Sequence, residues 1–179
     1  LGYSIIHLSD HARQSNWFAL DTFDFIVDPS PTRVWANGRQ QAKVTVRIKP
    51  ANYEGAPDPL ELSEAELASV RLVSADEKNP LPEVGKDGVP EGGKWYFTET
   101  ENLTYDKYPI QAPASQLTAP MQPREAKLYT KEFFVQCHKV ENLLVAATIR
   151  SDNYEHFYSN PGKDDGEHNR KALNLVAIK

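Results

Sequence analysis

The sequence predicts an all-β chain folded as an antiparallel sandwich with long Pro- and Gly-rich loops. Three observations carry this prediction. Several short segments alternate apolar and polar residues, turn residues separate them, and no repeating strand-then-helix period is present, which excludes a parallel α/β sheet.

The first alternating segment runs from Thr22 to Val27, with Phe23, Phe25 and Val27 on one face against Thr22, Asp24 and Ile26. Pro29-Ser30-Pro31 interrupts it. Arg33-Val34-Trp35-Ala36 then resumes extended structure before Asn37-Gly38, the preferred pair for a type I′ turn, and this predicts a tight hairpin into the next strand. In that strand Ala42, Val44, Val46 and Ile48 share one face, while Lys43, Thr45 and Arg47 share the other.

Pro50 to Pro59 reads as a loop. In Leu60 to Ala75 the run Ser63-Glu64-Ala65-Glu66 fits a capping box, in which the serine oxygen and the glutamate satisfy amides of a first helical turn. A short turn followed by a strand with Val70 and Leu72 inward is the predicted arrangement. Asp76 to Gly93 carries too many Pro and Gly residues for regular structure and reads as an extended surface loop. Trp95-Tyr96-Phe97-Thr98 is a short aromatic strand, and Tyr105 to Pro123 is broken by four prolines.

The last third is the most regular. Lys127 to Cys137 alternates Tyr129, Lys131, Phe133, Val135 and Cys137 against Thr130, Glu132, Phe134, Gln136 and His138, which places Cys137 in the core. Leu143 to Ile149 is apolar on both faces, as befits a central strand. Tyr154 to Tyr158 and Ala172 to Ile178 complete a set of about eight or nine strands, with turns at Pro161-Gly162 and Asp165-Gly166. Residues 1–179 are expected to form one composite sandwich, with a subdivision near 109–123 as the alternative.

The segment 28–48, from Asp28-Pro29-Ser30-Pro31 through Val34-Trp35-Ala36-Asn37-Gly38 to Val44-Thr45-Val46-Arg47-Ile48, resembles the opening strands of bacterial immunoglobulin-like domains of the invasin and intimin type. There a short strand, a small Gly-containing turn and an alternating strand begin the sandwich. The resemblance implies an immunoglobulin-like fold, adhesion or spacer duty, and an extracellular or bacterial-surface location. The family's domains are shorter and repeat in tandem, whereas this chain carries long Pro-rich tracts.

Composition narrows the function classes. A net charge of −5 over 179 residues argues against a nucleic-acid binder that tracks phosphates. No run approaches the roughly 18 consecutive apolar residues of a membrane-spanning helix. The N-terminus, from Leu1, shows no targeting peptide. Cys137 is the single cysteine, so the chain has no intrachain disulfide and lacks the Cys-Trp-Cys pattern of antibody domains. Asn102-Leu103-Thr104 matches a glycosylation sequon, a pattern common by chance.

Each chemical motif has a plainer reading. His7 and His11 would share one helix face as metal ligands, but their surroundings read as a terminus with surface histidines. Asp164-Asp165-Gly166-Glu167-His168-Asn169 is oxygen-rich yet lacks the alternating ligands of a calcium loop. Cys137 and His138 are adjacent on a strand and point to opposite faces, which prevents a nucleophile–base pair. Glu64 and Glu66 could face the same way on a strand, as carboxylates this frequent do by chance. No catalytic residue, metal site or cofactor is therefore expected.

Aromatic residues near loops favour a binding role instead, because Tyr and Trp offer large contact area at low entropic cost. Trp95, Tyr96, Tyr105 and Tyr108 form the predicted patch, and Tyr154, Phe157 and Tyr158 precede a further turn. The expected function is a non-catalytic interaction or structural module of a bacterial surface, secreted or phage-like assembly. It would engage a protein or glycan through loops or a strand edge. The alternative is a secreted effector, toxin-like protein or enzyme on the same scaffold. An exposed aromatic patch marks the first reading, and a cleft of converging carboxylates or histidines marks the second.

Overall fold

The computed structural model describes residues 15–26, 33–51, 60–85, 94–107, 127–159 and 172–179. Val27, Tyr108, the histidines at 7, 11 and 168, the acidic run 164–169, residues 52–59 and 109–123 and the turns at 161–166 lie outside them. The described residues form ten strands and one short helix, in order: β1 (Leu20–Ile26), β2 (Arg33–Trp35), β3 (Gln40–Pro50), α1 (Glu64–Ala68), β4 (Arg71–Ser74), β5 (Trp95–Thr98), β6 (Asp106–Lys107), β7 (Tyr129–Cys137), β8 (Asn142–Arg150), β9 (His156–Tyr158) and β10 (Leu173–Ile178).

The strands form two sheets. One runs β1-β3-β7-β5, with β6 paired to the start of β3; the other runs β2-β10-β8-β4, with β9 alongside β8. All pairs are antiparallel except β2 with β10 and β3 with β6. Strands from both sides of the Pro-rich tract share each sheet, since β7 sits between β3 and β5 while β8 and β10 sit between β4 and β2.

Period-two alternation builds the core. Val44, Val46 and Ile48 of β3, Phe23 and Phe25 of β1, and Phe133, Val135 and Cys137 of β7 point inward from the first sheet. Leu72, Val145, Ala147, Ile149, Leu173 and Leu175 meet them from the second, in one continuous cluster. Phe97 and Phe133 pack edge to face at 5.2 Å, the arrangement that the ring quadrupoles favour. The all-β sandwich expected from the pattern is therefore the architecture observed.

The structure departs from expectation at Asn37-Gly38. No hairpin joins β2 to β3; the two strands lie in different sheets, and the turn is a corner between them. A type I′ turn needs positive φ at both central residues, but only Gly38 adopts it, at 67°. The backbone of β2 is claimed by β10 in parallel, with Trp35 beside Ile178. Val34 can then enter the core. The corner is held by the Asn37 side chain, which accepts from the Arg39 amide at 2.8 Å, and by Gln40 Oε1, which accepts from the Trp35 amide at 2.7 Å. A Cβ at Gly38 would stand 3.1 Å from the Tyr96 hydroxyl, so glycine serves both the dihedral angle and the close approach.

The capping box is present. Ser63 Oγ accepts from the Glu66 amide at 3.1 Å, and Glu66 Oε2 accepts from the Ser63 amide at 2.9 Å. Strand β4 follows with Val70 and Leu72 inward. β8 is central as expected, but its second face is only partly covered. Ala146 packs with Val73 and Ala75, whereas Leu144 is exposed.

Candidate functional site

The predicted aromatic patch is not a surface at Trp95 and Tyr96. In β5 all four side chains are buried. Trp95 points into the inter-sheet core at 4% exposure, across from Cys137. Tyr96 points to the other side and is nevertheless fully enclosed, at 0%. Phe134, Gln136, Thr98 and Asn102 are buried too, and Asn102 is tied to β3 through its amide, which donates to Gln41 Oε1 at 2.8 Å. The outer face of this sheet is thus covered around β5 and the end of β7, and there strand alternation no longer separates wet from dry. Burial, with Tyr105 nearby, pushes the Tyr96 phenol up to about 12. Tyr105 is half-buried. A four-residue run without a polar face is itself the signature of a doubly covered strand, and it was the signal available here.

Candidates for chemistry are likewise committed to structure. Cys137 is buried and its thiol donates to the Lys139 carbonyl at 2.9 Å; burial raises its pKa, opposing the thiolate that nucleophilic attack requires. His138 lies on the opposite side of β7, its ring 6.1 Å from that of Tyr96. Asn102 of the sequon is buried, with Oδ1 accepting from the Thr104 amide and hydroxyl at 3.0 and 2.7 Å. Among the described residues no three His, Cys, Asp or Glu side chains gather as metal ligands.

One carboxylate is unusual. Glu66, 1% exposed, accepts from Trp17 Nε1 at 3.0 Å, from the Ser63 amide at 2.9 Å and from the Asp152 amide at 3.0 Å, and Ser15 Oγ also donates to it. A carboxylate buried with no cation beside it among the described residues is tolerated when its lone pairs are filled in this way. Glu64, by contrast, is exposed on the same helix. Glu66 therefore ties three separate segments together: the chain entering β1, the turn before α1, and the turn after β8. Sequence reasoning found its capping role and missed the other three partners, Ser15, Trp17 and Asp152, which are distant in the chain.

The third of these segments carries the most exposed aromatic ring of the described residues. In the turn between β8 and β9, the Ser151 amide donates to the Glu155 carbonyl and the Tyr154 amide to the Ser151 carbonyl, both at 2.9 Å. Ser151 Oγ accepts from the Glu155 amide at 3.1 Å. Behind the turn, Ser69 Oγ exchanges hydrogen bonds with the Arg150 amide and carbonyl at 2.9 and 3.1 Å. Tyr154 is thereby held at φ 66°, a left-handed conformation that costs a residue with a Cβ about 1 kcal/mol or more. Its side chain is 78% exposed. The Arg150 guanidinium lies 5.7 Å from its ring centre and makes no ion pair among the described residues. Phe157 and Tyr158, the other aromatics of this region, pack back onto the two core clusters.

A second exposed apolar feature lies on the outer side of the β2-β10-β8-β4 sheet, where Trp35 on β2 and Leu144 on β8 are each about two-fifths exposed, at 43% and 41%. Comparison of the sequence with protein-family models and with curated proteins finds no match.

Proposed function

We propose that this chain is a non-catalytic interaction module that engages a protein or glycan through loops at one end of a β-sandwich. The β8–β9 turn carries the reading. It combines a protruding tyrosine, an arginine with no ion pair among the described residues and a backbone held by hydrogen bonds, the residue types and rigidity that concentrate binding energy. The anchoring of this turn on Glu66 means that little conformational entropy remains to be lost on association.

Strand order supports assigning the sandwich to the immunoglobulin-like class. Lettering β1, β3, β4, β5, β7, β8 and β10 as A to G yields sheets A-B-E-D and G-F-C, the constant-type arrangement, with β2 as an added parallel edge beside G. No disulfide pins B to F; Val44, Val46, Val145 and Ala147 fill the space between the sheets instead. In this lettering the turn bearing Tyr154 belongs to the F–G connection, one of those that carry recognition loops in variable domains. The likeness of residues 28–48 to invasin- and intimin-type domains further favours adhesion or spacer duty in a bacterial surface or secreted assembly.

The test is a binding screen of the wild-type chain and Tyr154→Ser against arrays of purified proteins and glycans. The reading expects features bound by the wild type and lost by the variant. Binding that is indifferent to Tyr154, or no binding to any feature, removes its support.

A further inference from the structure

Resting on the interaction-module reading, we infer that the β8–β9 turn recognises a protein segment presenting apolar side chains beside a single carboxylate. Tyr154 supplies the apolar contact. Its ring stands out of the turn with most of its surface free, and the left-handed backbone that places it there is one in which glycine or asparagine is normally preferred. A tyrosine retained at such a position raises the energy of the turn without packing on the core. That pattern fits a side chain used for contact rather than for folding.

Arg150 supplies the charge selectivity. It lies 5.7 Å from the centre of the Tyr154 ring, within the range of a cation–π contact, and a guanidinium beside an exposed ring can offer a fork of N–H donors to a carboxylate. Asp152 and Glu155 are close in sequence, yet neither forms an ion pair with it among the described residues. Their presence flanking the tyrosine also restricts the partner. A continuous acidic run would be repelled by them, while one carboxylate directed at Arg150 would not. The backbone of Arg150 is held on both sides by Ser69, and that of Asp152 by Glu66 and Ser15, so the pair is presented on a fixed platform.

The experiment uses the full chain and a set of immobilised synthetic peptides in which Leu and Phe flank one Glu. Matched peptides carry Gln or Lys in place of Glu, or a run of Glu, and a glycan array is probed in parallel. The single-Glu peptides are expected to bind best. Tyr154→Gly and Arg150→Gln should each weaken that binding by roughly tenfold or more, as loss of an interface anchor does, and Arg150→Lys should recover only part of it. Tyr154→Gly should melt at the same temperature as the wild type or higher, which separates lost contact from lost fold. Peptide binding unaffected by Tyr154→Gly, or equal for Glu and Lys peptides, overturns the inference. Tyr154-dependent binding confined to glycans overturns it while leaving the interaction-module reading intact; no binding by any arm overturns both.

Discussion

Tyr96 and Tyr154 are the same side chain in opposite circumstances. Tyr96 sits on a four-residue strand whose two faces are both covered, with its hydroxyl 3.5 Å from the Gly38 carbonyl and its ionisation suppressed by burial. Tyr154 sits on a turn held by hydrogen bonds of the Ser151, Asp152, Tyr154 and Glu155 amides, and its ring touches little besides the Arg150 guanidinium. The first spends its area on the fold, whereas the second leaves its area available. An aromatic residue near a loop is thus not by itself a contact residue; what decides is whether the chain covers the second face of its element.

That contrast can be broken by substitution. Tyr96→Ala should cost about 3–5 kcal/mol in denaturant unfolding, the range for truncating a buried aromatic, while Tyr154→Ala should stay within about 0.5 kcal/mol of the wild type. Comparable costs at the two positions would mean that the turn is packed as tightly as the strand. Glu66→Ala comes next, at about 2–4 kcal/mol, because it strands the buried indole donor of Trp17 and takes an acceptor from the partly buried amides of Ser63 and Asp152. Its unfolding should be accompanied by earlier amide exchange in the β8–β9 turn. A loss below about 0.5 kcal/mol would separate the turn from the Glu66 tie.

Gly38→Ala should cost about 1–3 kcal/mol through both the positive φ and the approach of Tyr96. The smallest expected change has the opposite sign: Tyr154→Gly should gain up to about 1 kcal/mol by relieving the left-handed strain. A destabilised glycine variant would show that the ring is needed for folding after all.

The pH response sharpens the same comparison. The Tyr96 phenol is raised in the fold to about 12, above an unfolded value of about 10, so the folded state favours its proton. Its contribution to stability is present in full below about pH 10 and is lost as pH rises from there through about 12. Unfolding measured across that range should show a decline that is diminished in Tyr96→Phe, which keeps the ring and has no proton to lose.

Much of the fold was legible because its signals are local. Alternation in residues 42–48 reports which side of that strand is dry, the two-sided apolar run 143–149 reports a central strand, and the Ser63–Glu66 spacing reports a helix start, since all three depend on residues within a few positions of one another. The site was far less legible. Trp95 and Tyr96 stand beside a Gly-rich tract in the sequence, yet both are interior, while nothing in the local pattern sets the exposed Tyr154 apart from Phe157 and Tyr158.

By itself the sequence determined that this chain is a β-sandwich, most of the strands it contains, and which face of several of them turns inward, although the short strand Asp106–Lys107 fell in a tract read as a loop. Tertiary structure decided the rest. It assigned β2 to the sheet of β10 instead of pairing it with β3, covered the outer face around Tyr96, and joined Glu66 to Ser15, Trp17 and Asp152. The reason is range: period-two patterning is written in neighbouring residues, but the choice of sheet and of covering segment is a competition among contacts separated by 49, 51 or 86 positions in the chain, and only the assembled core resolves it.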